Sequence, residues 1–315
     1  MQCGKRLKAM LPVLFCVLAT LLAACGGGSS VSSATKAPAN KQTFIDPVEG
    51  DADLQTFDPA LVTDIPTINA IQMVFTGLVQ LNDKLQVVNQ LAASHNVAPD
   101  GTTWTFTLKP NLKFSDGEPL TSADVAYSID RALDPKLKSS TAPSYLSLIK
   151  DSSRRNSGQI STLIGDSLIT PSPDTIVIKT SQKAAYFLDA LAYPCSYVVE
   201  KSMIAKYGNN FGDHLADGIG SDGPFKVSRY VHNKDVEFVP NPNYYGPKPQ
   251  LSKVVMPFYQ NADTDYPAYQ DDQVDTASVP TAQIAQAKTF PDNQYRKYPT
   301  LNVDYIRHEL PGEAV

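Results

Sequence analysis

Alternating apolar and polar side chains mark residues 102–109. Trp104, Phe106 and Leu108 fall on one side of an extended chain, and threonines occupy the positions between them. This period of two is typical of a strand that buries one face. An Asp-Gly pair at 100–101 precedes the segment and favours a tight turn. The sequence therefore predicts a hairpin strand whose aromatic face lies against a core.

Helical spacing marks residues 65–74. One face of such a helix holds Ile68, Ile71, Gln72 and Phe75, so we expect this face to be buried. Gly77 follows soon after, and glycine is a usual residue at a helix C-terminus. The pattern predicts a helix that Gly77 brings to an end.

A second helix is predicted after Thr121, which is a favourable N-cap. Asp124 suits the positive end of the helix dipole, and Val125, Ile129 and Leu133 recur every four residues as an apolar stripe. Shorter patterns predict helices over 184–192 and 202–207 and strands over 78–81, 175–179, 225–230, 236–239 and 251–259. The mixture is α/β, without the regular alternation of a Rossmann or barrel fold.

The first 24 residues have the organisation of a secretory signal. Three basic residues come first, and residues 9–24 form a run of 16 residues without a charge. A membrane-spanning helix needs about 20 apolar residues, so a permanent transmembrane anchor is the less favoured interpretation. Residues 25–42 are rich in Gly and Ser at their start and predict a flexible linker.

The chain without residues 1–24 is acidic. Three of the 27 basic residues and none of the 32 acidic residues lie in that segment, which leaves 24 against 32. A nucleic-acid-binding surface requires clustered Lys and Arg, so this class of partner is not expected. The residues from about 41 onward are numerous enough for two domains.

Cysteines and histidines are the candidates for reactive chemistry. Cys3 and Cys16 lie in the predicted signal, and Cys25 follows it directly. Cys195 is then left alone, and a lone cysteine is more often a small buried apolar side chain than a nucleophile. The histidines lie outside any Gly-x-Ser-x-Gly or His-Glu-x-x-His frame, and no pair has the spacing of metal ligands. The sequence therefore predicts neither an enzyme nor a metal or cofactor site.

Four short motifs follow one another between residues 75 and 246. They occupy 75–79 with 91–94, 100–109, 114–125 with Arg131, and 223–225 with 241–246. In their order and spacing they resemble the peptide, dipeptide and nickel-binding family of bacterial ABC-transporter extracellular solute-binding proteins. One departure is the run Gly-Ser-Asp-Gly-Pro at 220–224, where that family more often has Gly-Thr-Gly-Pro.

The residues that end the predicted signal resemble the bacterial lipobox. They read Leu-Ala-Ala-Cys at 22–25. In lipoproteins with this motif the signal is cut before the cysteine, which is lipidated on sulfur and acylated on its new amino group. Two or more acyl chains hold a protein stably at a bilayer, whereas one holds it only marginally. The resemblance implies lipidation of Cys25; an ordinary signal with a chance cysteine is the alternative.

The family resemblance implies a two-lobed, periplasmic-binding-protein-like (type II) fold that carries an extra inserted domain and closes on its ligand by a hinge. The implied division is signal peptide 1–24, linker 25–42, first part of lobe I 43–82, inserted domain 83–189, second part of lobe I 190–258 and start of lobe II 259–315. Family members are much longer, so we expect lobe II to be incomplete, as in a truncated or frameshifted product. A compact short form is the alternative.

The function implied by the resemblance is that of the substrate-binding lipoprotein of an ABC importer. Such a protein captures oligopeptides or dipeptides outside the cytoplasmic membrane and delivers them to the permease without changing them. Its implied partners are a peptide, the ABC permease subunits and the lipid bilayer, and it lies on the periplasmic side or the cell surface. A nickel-chelate or sugar receptor of the same family and a nonbinding truncated product are the alternatives.

Two segments of lobe I are the candidates for lining the ligand cleft. They contain Tyr193, Ser196 and Tyr197, and Ser221, Asp222 and Gly223. Both segments can equally be ordinary loops. In relatives a carboxylate of lobe II commonly holds the ligand amine, and we expect that region to lie in the missing part of lobe II.

Overall fold

The computed structural model describes residue 38 and residues 42–291 and 294–297. The predicted signal peptide, Cys25 and all of the linker except residues 38 and 42 lie outside the described residues. From residue 42 onward the described residues belong to one unit.

Strands and helices alternate irregularly along the described chain. The strands are β1 (Thr43–Ile45), β2 (Val48–Glu49), β3 (Val79–Leu81), β4 (Val87–Asn89), β5 (Ala92–Val97), β6 (Thr103–Leu108), β7 (Leu168–Ser172), β8 (Thr175–Lys179), β9 (Phe225–Val231), β10 (Asp235–Pro240) and β11 (Lys253–Tyr259). The α-helices are α1 (Ile65–Val74), α2 (Ser122–Ala132), α3 (Ala142–Tyr145), α4 (Ser152–Asn156), α5 (Phe187–Leu191), α6 (Lys201–Tyr207), α7 (Ala262–Gln270) and α8 (Ile284–Ala287). Short 3-10 helices cover Pro194–Ser196, Gly208–Asp217 and Thr281–Gln283.

The first sheet has the strand order β1-β11-β10-β9, and β2 also pairs with β11. β1 and β2 lie parallel to β11, whereas β10 is antiparallel to both of its neighbours. Asn233 turns β9 into β10 with a φ of +60°, a left-handed conformation that asparagine tolerates better than most residues. The strand pair predicted around Asn233 is confirmed.

The second sheet is antiparallel, with the order β5-β6-β8-β7. Trp104, Phe106 and Leu108 on β6 are all buried, as their alternation predicts. α2 covers this face, and Val125 and Ile129 belong to the same apolar cluster. The N-cap of α2 forms as predicted, because the Thr121 amide donates to the Asp124 carboxylate at 2.8 Å. The alternation of apolar residues on β6 and the N-cap of α2 therefore account for how this helix packs on the second sheet.

The bounds of α1 agree with the predicted helix, and its predicted buried face is confirmed except at one residue. Ile71 and Phe75 are buried and Ile68 is partly buried, whereas Gln72 is exposed. The helix ends at Val74, and Gly77 is not its stop. Gly77 instead lies against Tyr197, whose ring a Cβ at position 77 would approach to 2.9 Å. Close packing, and not helix termination, explains this glycine.

Each sheet lies against an apolar cluster of its own. Phe106 and Leu133 belong to the cluster of the second sheet, and Ile71, Phe75 and Phe238 to that of the first. The second sheet falls within the predicted inserted domain, and the first takes strands from both predicted parts of lobe I. The boundaries of that division stay a prediction. Among the described residues, no helix is both long and apolar enough to span a membrane.

Candidate functional site

The 193–197 segment turns two of its predicted site residues inward. The Ser196 hydroxyl is buried and donates to the carbonyl oxygen of Leu191 at 2.5 Å. Tyr197 is buried against the backbone at Gly77. Burial raises the pKa of Tyr197 to about 12, so its hydroxyl stays protonated at neutral pH. These two side chains hold the turn in place from its inner side.

The loop at 221–223 is fixed to the end of α1. The amides of Asp222 and Gly223 both donate to the carbonyl oxygen of Val74, each at 3.0 Å. Gly223 lies so close to this backbone that a Cβ would come within 2.6 Å of the Met73 carbonyl oxygen. Only glycine allows the two backbones to approach so closely.

Thr76 connects the two predicted segments. Its amide donates to one carboxylate oxygen of Asp222 at 3.0 Å, and its hydroxyl donates to the other at 2.5 Å. Its carbonyl oxygen accepts from the amide of Val198 at 2.9 Å. The structure therefore brings both segments to the residues that follow α1, although they lie far apart in the sequence.

Asp222 is an almost completely buried carboxyl group, with 1% of its surface exposed. Burial raises its pKa from the ordinary 3.8 to about 8, and the two hydrogen bonds from Thr76 oppose this shift. The folded chain therefore holds a proton at Asp222 that the unfolded chain has lost between about pH 4 and pH 8. This group makes the protein less stable as the pH rises through that window.

The variant Asp222→Asn is expected to flatten this pH dependence and to be roughly 1–3 kcal/mol more stable than the wild type at pH 8. The asparagine oxygen accepts from the Thr76 amide, and its NH2 group donates to the Thr76 hydroxyl, so the geometry is retained. Urea unfolding at pH 5 and pH 8 measures the effect. Asp263→Asn, at an exposed acid, is the control. Equal pH slopes in the wild type and Asp222→Asn would show that this carboxyl does not titrate as described.

Tyr193 is the predicted site tyrosine that keeps part of its surface in solvent. Its ring stacks on Tyr145, with the centroids 3.7 Å apart and the planes at 9°. Burial, followed by the nearby Tyr145, Cys195 and Asp64, raises the pKa of Tyr193 to about 12. Tyr193 therefore keeps a protonated hydroxyl that can donate a hydrogen bond, on a ring stacked against Tyr145.

Asp64 lies at the same surface and caps α1. One of its carboxylate oxygens accepts from the Thr67 amide at 2.9 Å, and the other has no hydrogen-bond partner among the described residues. The next residue, Ile65, is apolar yet 62% exposed. We call Asp64, Ile65, Tyr145 and Tyr193 the Tyr193 face. It combines exposed apolar surface with a buried carboxylate oxygen that has no partner among the described residues.

Three residues of the Tyr193 face were missed in the sequence. Only Asp64 can be recognised from the sequence, because an aspartate before Ile-Pro is a favourable N-cap. An N-cap at Asp64 makes Ile65 the first residue of the helix, outside the buried stripe. Tyr145 gives no such signal. It lies in the four-residue helix α3, and only the tertiary fold brings it onto Tyr193.

Two kinds of reactive site were considered among the described residues: a nucleophilic thiol at Cys195 and a metal site. Cys195 is 2% exposed, and burial raises its pKa to about 12, so the thiol is neither accessible nor ionised at neutral pH. In the part of the chain that the structure describes, no group of His, Cys, Asp and Glu side chains is arranged to hold a metal ion.

Two of the sequence motifs meet in a hydrogen-bonded cluster beside Gly223. The Ser115 amide donates to the carbonyl oxygen of the buried Ser221 at 2.6 Å, and the Asn243 side chain donates to the Ser115 carbonyl oxygen at 3.1 Å. The Asn241 side chain donates to the carbonyl oxygen of Gly223 at 3.0 Å. These motif residues therefore fix the position of the 221–223 loop, which is a structural role.

A family model described as "Bacterial extracellular solute-binding proteins, family 5 Middle" matches residues 86–310. The match covers well over half of the 315 residues. The chain belongs to this family. The resemblance expected from the motifs is thereby confirmed at the level of the family.

Relatives of this family 5 chain include two peptide-binding proteins. The chain is 29% identical over 269 residues to the dipeptide-binding protein of Lactococcus lactis subsp. cremoris, covering 83% of this chain and 48% of the relative. It is 26% identical over 305 residues to the oligopeptide-binding protein OppA of Bacillus subtilis, covering 96% and 53%. The family 5 chain therefore spans about half the length of the curated relatives it matches.

Solved structures share the fold of the family 5 chain. It superposes on OppA of Burkholderia pseudomallei with a TM-score of 0.72 at 25% identity, over 81% of this chain and 50% of the other. It superposes on the substrate-binding domain of the Bacillus anthracis oligopeptide ABC transporter with a TM-score of 0.73 at 21% identity, over 80% and 48%. The predicted α/β, periplasmic-binding-protein-like fold is confirmed, over about half of each neighbour.

Proposed function

We propose that this family 5 chain captures peptides outside the cytoplasmic membrane and delivers them to the permease of an ABC importer. The observation that carries the proposal is the family match over 86–310, together with relatives whose names state dipeptide and oligopeptide binding. Capture and release leave the peptide unchanged. The buried, protonated thiol of Cys195 supports a binding role over a catalytic one.

The Tyr193 face is the surface we propose for peptide contact. The unpartnered carboxylate oxygen of Asp64 is buried, and it can accept from a peptide amide or amino group once the side chain turns toward the ligand. The stacked rings of Tyr145 and Tyr193 and the exposed side chain of Ile65 offer apolar area to peptide side chains of different shapes. Ser196, Tyr197, Ser221, Asp222 and Gly223 would then act behind this surface, by holding its backbone in place.

A ligand that contacts two lobes favours the closed state over the open one by its differential affinity. The closed state then presents a new surface to the permease subunits. In this proposal the Tyr193 face supplies the contacts of one lobe.

A thermal-shift screen of the purified chain tests the class of ligand. Pools of dipeptides and oligopeptides, a set of sugars and a set of nickel chelates are compared at equal concentration. Peptide capture requires a concentration-dependent rise in the melting temperature with the peptide pools. A rise with sugars or nickel chelates alone would assign the chain to another ligand class of its family, and no rise with any of them would mark a nonbinding product.

We further propose that acylated Cys25 anchors the chain to the outer side of the cytoplasmic membrane or to the cell surface, and that residues 25–42 tether the folded part. Metabolic labelling with an alkyne fatty acid tests this. Cys25→Ala is expected to lose the label completely, because both acylated groups belong to that residue, whereas the control Cys16→Ala should keep it. Retention of the label by Cys25→Ala would exclude the anchor.

A further inference from the structure

A small acidic pocket shares no lining residue with the Tyr193 face. It has a volume of about 250 Å³ and is lined by residues from the β1–β2 connection, the end of β2, the start of α7 and the segment after it. The lining includes Asp46, Glu49, Asp265, Thr276 and Ser278. Three carboxyl groups thus converge on one cavity, and no lysine or arginine of the described chain lines it.

The topology of the first sheet builds this pocket. β1 and β2 both run parallel to β11, so the residues that follow β1 and the helix α7 that follows β11 emerge at the same end of the sheet. The segment after α7 is fixed there by two bonds. The Asp275 amide donates to the Ile45 carbonyl oxygen at 2.8 Å, and the Ile45 amide donates to the Asp275 carboxylate at 2.7 Å. One backbone bond and one bond from a backbone amide to a carboxylate therefore hold these pocket walls together.

Asp265 is the residue that points to a ligand. It is 1% exposed, and one of its carboxylate oxygens is buried without a hydrogen-bond partner among the described residues. Its other oxygen accepts from the Ser278 amide at 3.4 Å, which is a long bond. Burial and the neighbouring Glu49 raise its pKa. Burying a carboxylate without a partner costs free energy unless a cation or a hydrogen-bond donor pairs with it.

The neighbouring residues Asp46 and Glu49 narrow the kind of ligand that the pocket can bind. The Asp46 carboxylate already accepts from the Thr276 hydroxyl, whereas no hydrogen bond is formed by the partly buried Glu49 carboxylate within the described structure. The described carboxylates are not arranged to share a metal ion. The volume suits a cationic group with a few carbon atoms.

We propose that this pocket binds a protonated amine or a guanidinium group, with the buried oxygen of Asp265 as its main acceptor and Glu49 as a second negative charge. The site shares no residue with the Tyr193 face, and the proposal does not depend on peptide capture there. The cationic group can come from a free small amine or from a lysine or arginine side chain of a larger ligand.

The test uses methylguanidinium as the probe and N-methylurea as its uncharged analogue of the same shape. Saturation-transfer NMR titration of the full chain is expected to show saturable binding of methylguanidinium and none of N-methylurea. Asp265→Asn and Glu49→Gln should each weaken methylguanidinium binding about tenfold, because each removes a charge that faces the cation. Asp263→Asn, at an exposed acid on the same helix, should leave the affinity unchanged.

Glu49→Gln decides the test if Asp265→Asn does not fold, because Glu49 is only partly buried. Equal binding of the two probes, or unchanged affinity in a folded Asp265→Asn or in Glu49→Gln, would overturn the proposal. Tyr193→Ala should bind methylguanidinium like the wild type; loss of binding there would place the cation at the other face and would also overturn it. Comparing Ala-Arg-Ala with methylguanidinium separates the sources. Tighter, Asp265-dependent binding of the tripeptide assigns a peptide side chain, and binding of the small probe alone assigns a free amine.

Discussion

Replacing Arg131 with methionine is expected to lower the free energy of unfolding by about 3–5 kcal/mol. Arg131 on α2 donates from both terminal nitrogens to Asp58, at 3.0 and 2.6 Å. The two side chains are 9% and 1% exposed. Methionine fills much of the arginine volume but leaves the Asp58 carboxylate buried without its cation, and this uncompensated charge is the source of the loss.

Urea unfolding measures the change, and two variants serve as comparisons. Arg154→Met removes an arginine whose ion pair with Asp151 is exposed, so its loss should stay below about 1 kcal/mol. The double variant Asp58→Asn with Arg131→Met removes both charges and should recover part of the stability lost in Arg131→Met. Equal losses in Arg131→Met and Arg154→Met would refute the role of the buried pair.

Gly223→Ala is expected to cost about 2–4 kcal/mol, because the added methyl group meets backbone atoms that cannot move independently. The new Cβ would stand 2.6 Å from the carbonyl oxygen of Met73 and 2.7 Å from the carbonyl carbon of Val74. Relieving that contact requires moving the loop away from the end of α1. This movement stretches the hydrogen bond from the Gly223 amide to the Val74 carbonyl oxygen. Thermal unfolding of the purified variant measures the loss.

Gly218→Ala is the matched control for Gly223→Ala. Position 218 is left-handed, with φ +85° and ψ 13°, and the nearest atom to an added Cβ is the Lys226 Nζ at 3.4 Å, so only backbone strain of about 1 kcal/mol is expected. The difference between the two variants isolates the packing effect. A loss in Gly223→Ala no larger than that in Gly218→Ala would contradict the close approach of the 221–223 loop to α1.

Local sequence patterns predicted the elements that local physics determines. The bounds of α1, the alternation on β6 and the capped start of α2 all follow from side chains close together in sequence. The role of Gly77 did not follow, because its close neighbour Tyr197 comes from a distant segment. A glycine near a helix end has the same sequence signal whether it caps the helix or admits a ring.

The candidate site was harder to predict for the same reason. Asp222 is a charged residue in a Gly- and Ser-containing run, which suggests an exposed loop, yet the fold buries it against Thr76. Tyr193 was predicted, but its stacking partner Tyr145 belongs to a different element. The acidic pocket at Asp265 combines three segments that only the parallel pairing with β11 brings together.

Isothermal titration calorimetry of the purified chain with oligoalanines of two to five residues tests peptide capture most directly. The account predicts saturable binding of one peptide per chain, and roughly tenfold weaker binding in Tyr193→Ala, because about 1.4 kcal/mol of aromatic contact is lost. Tyr186→Ala, at an exposed tyrosine outside the Tyr193 face, should bind like the wild type. A folded wild-type chain that gives no saturable heat with any of these peptides would contradict the account.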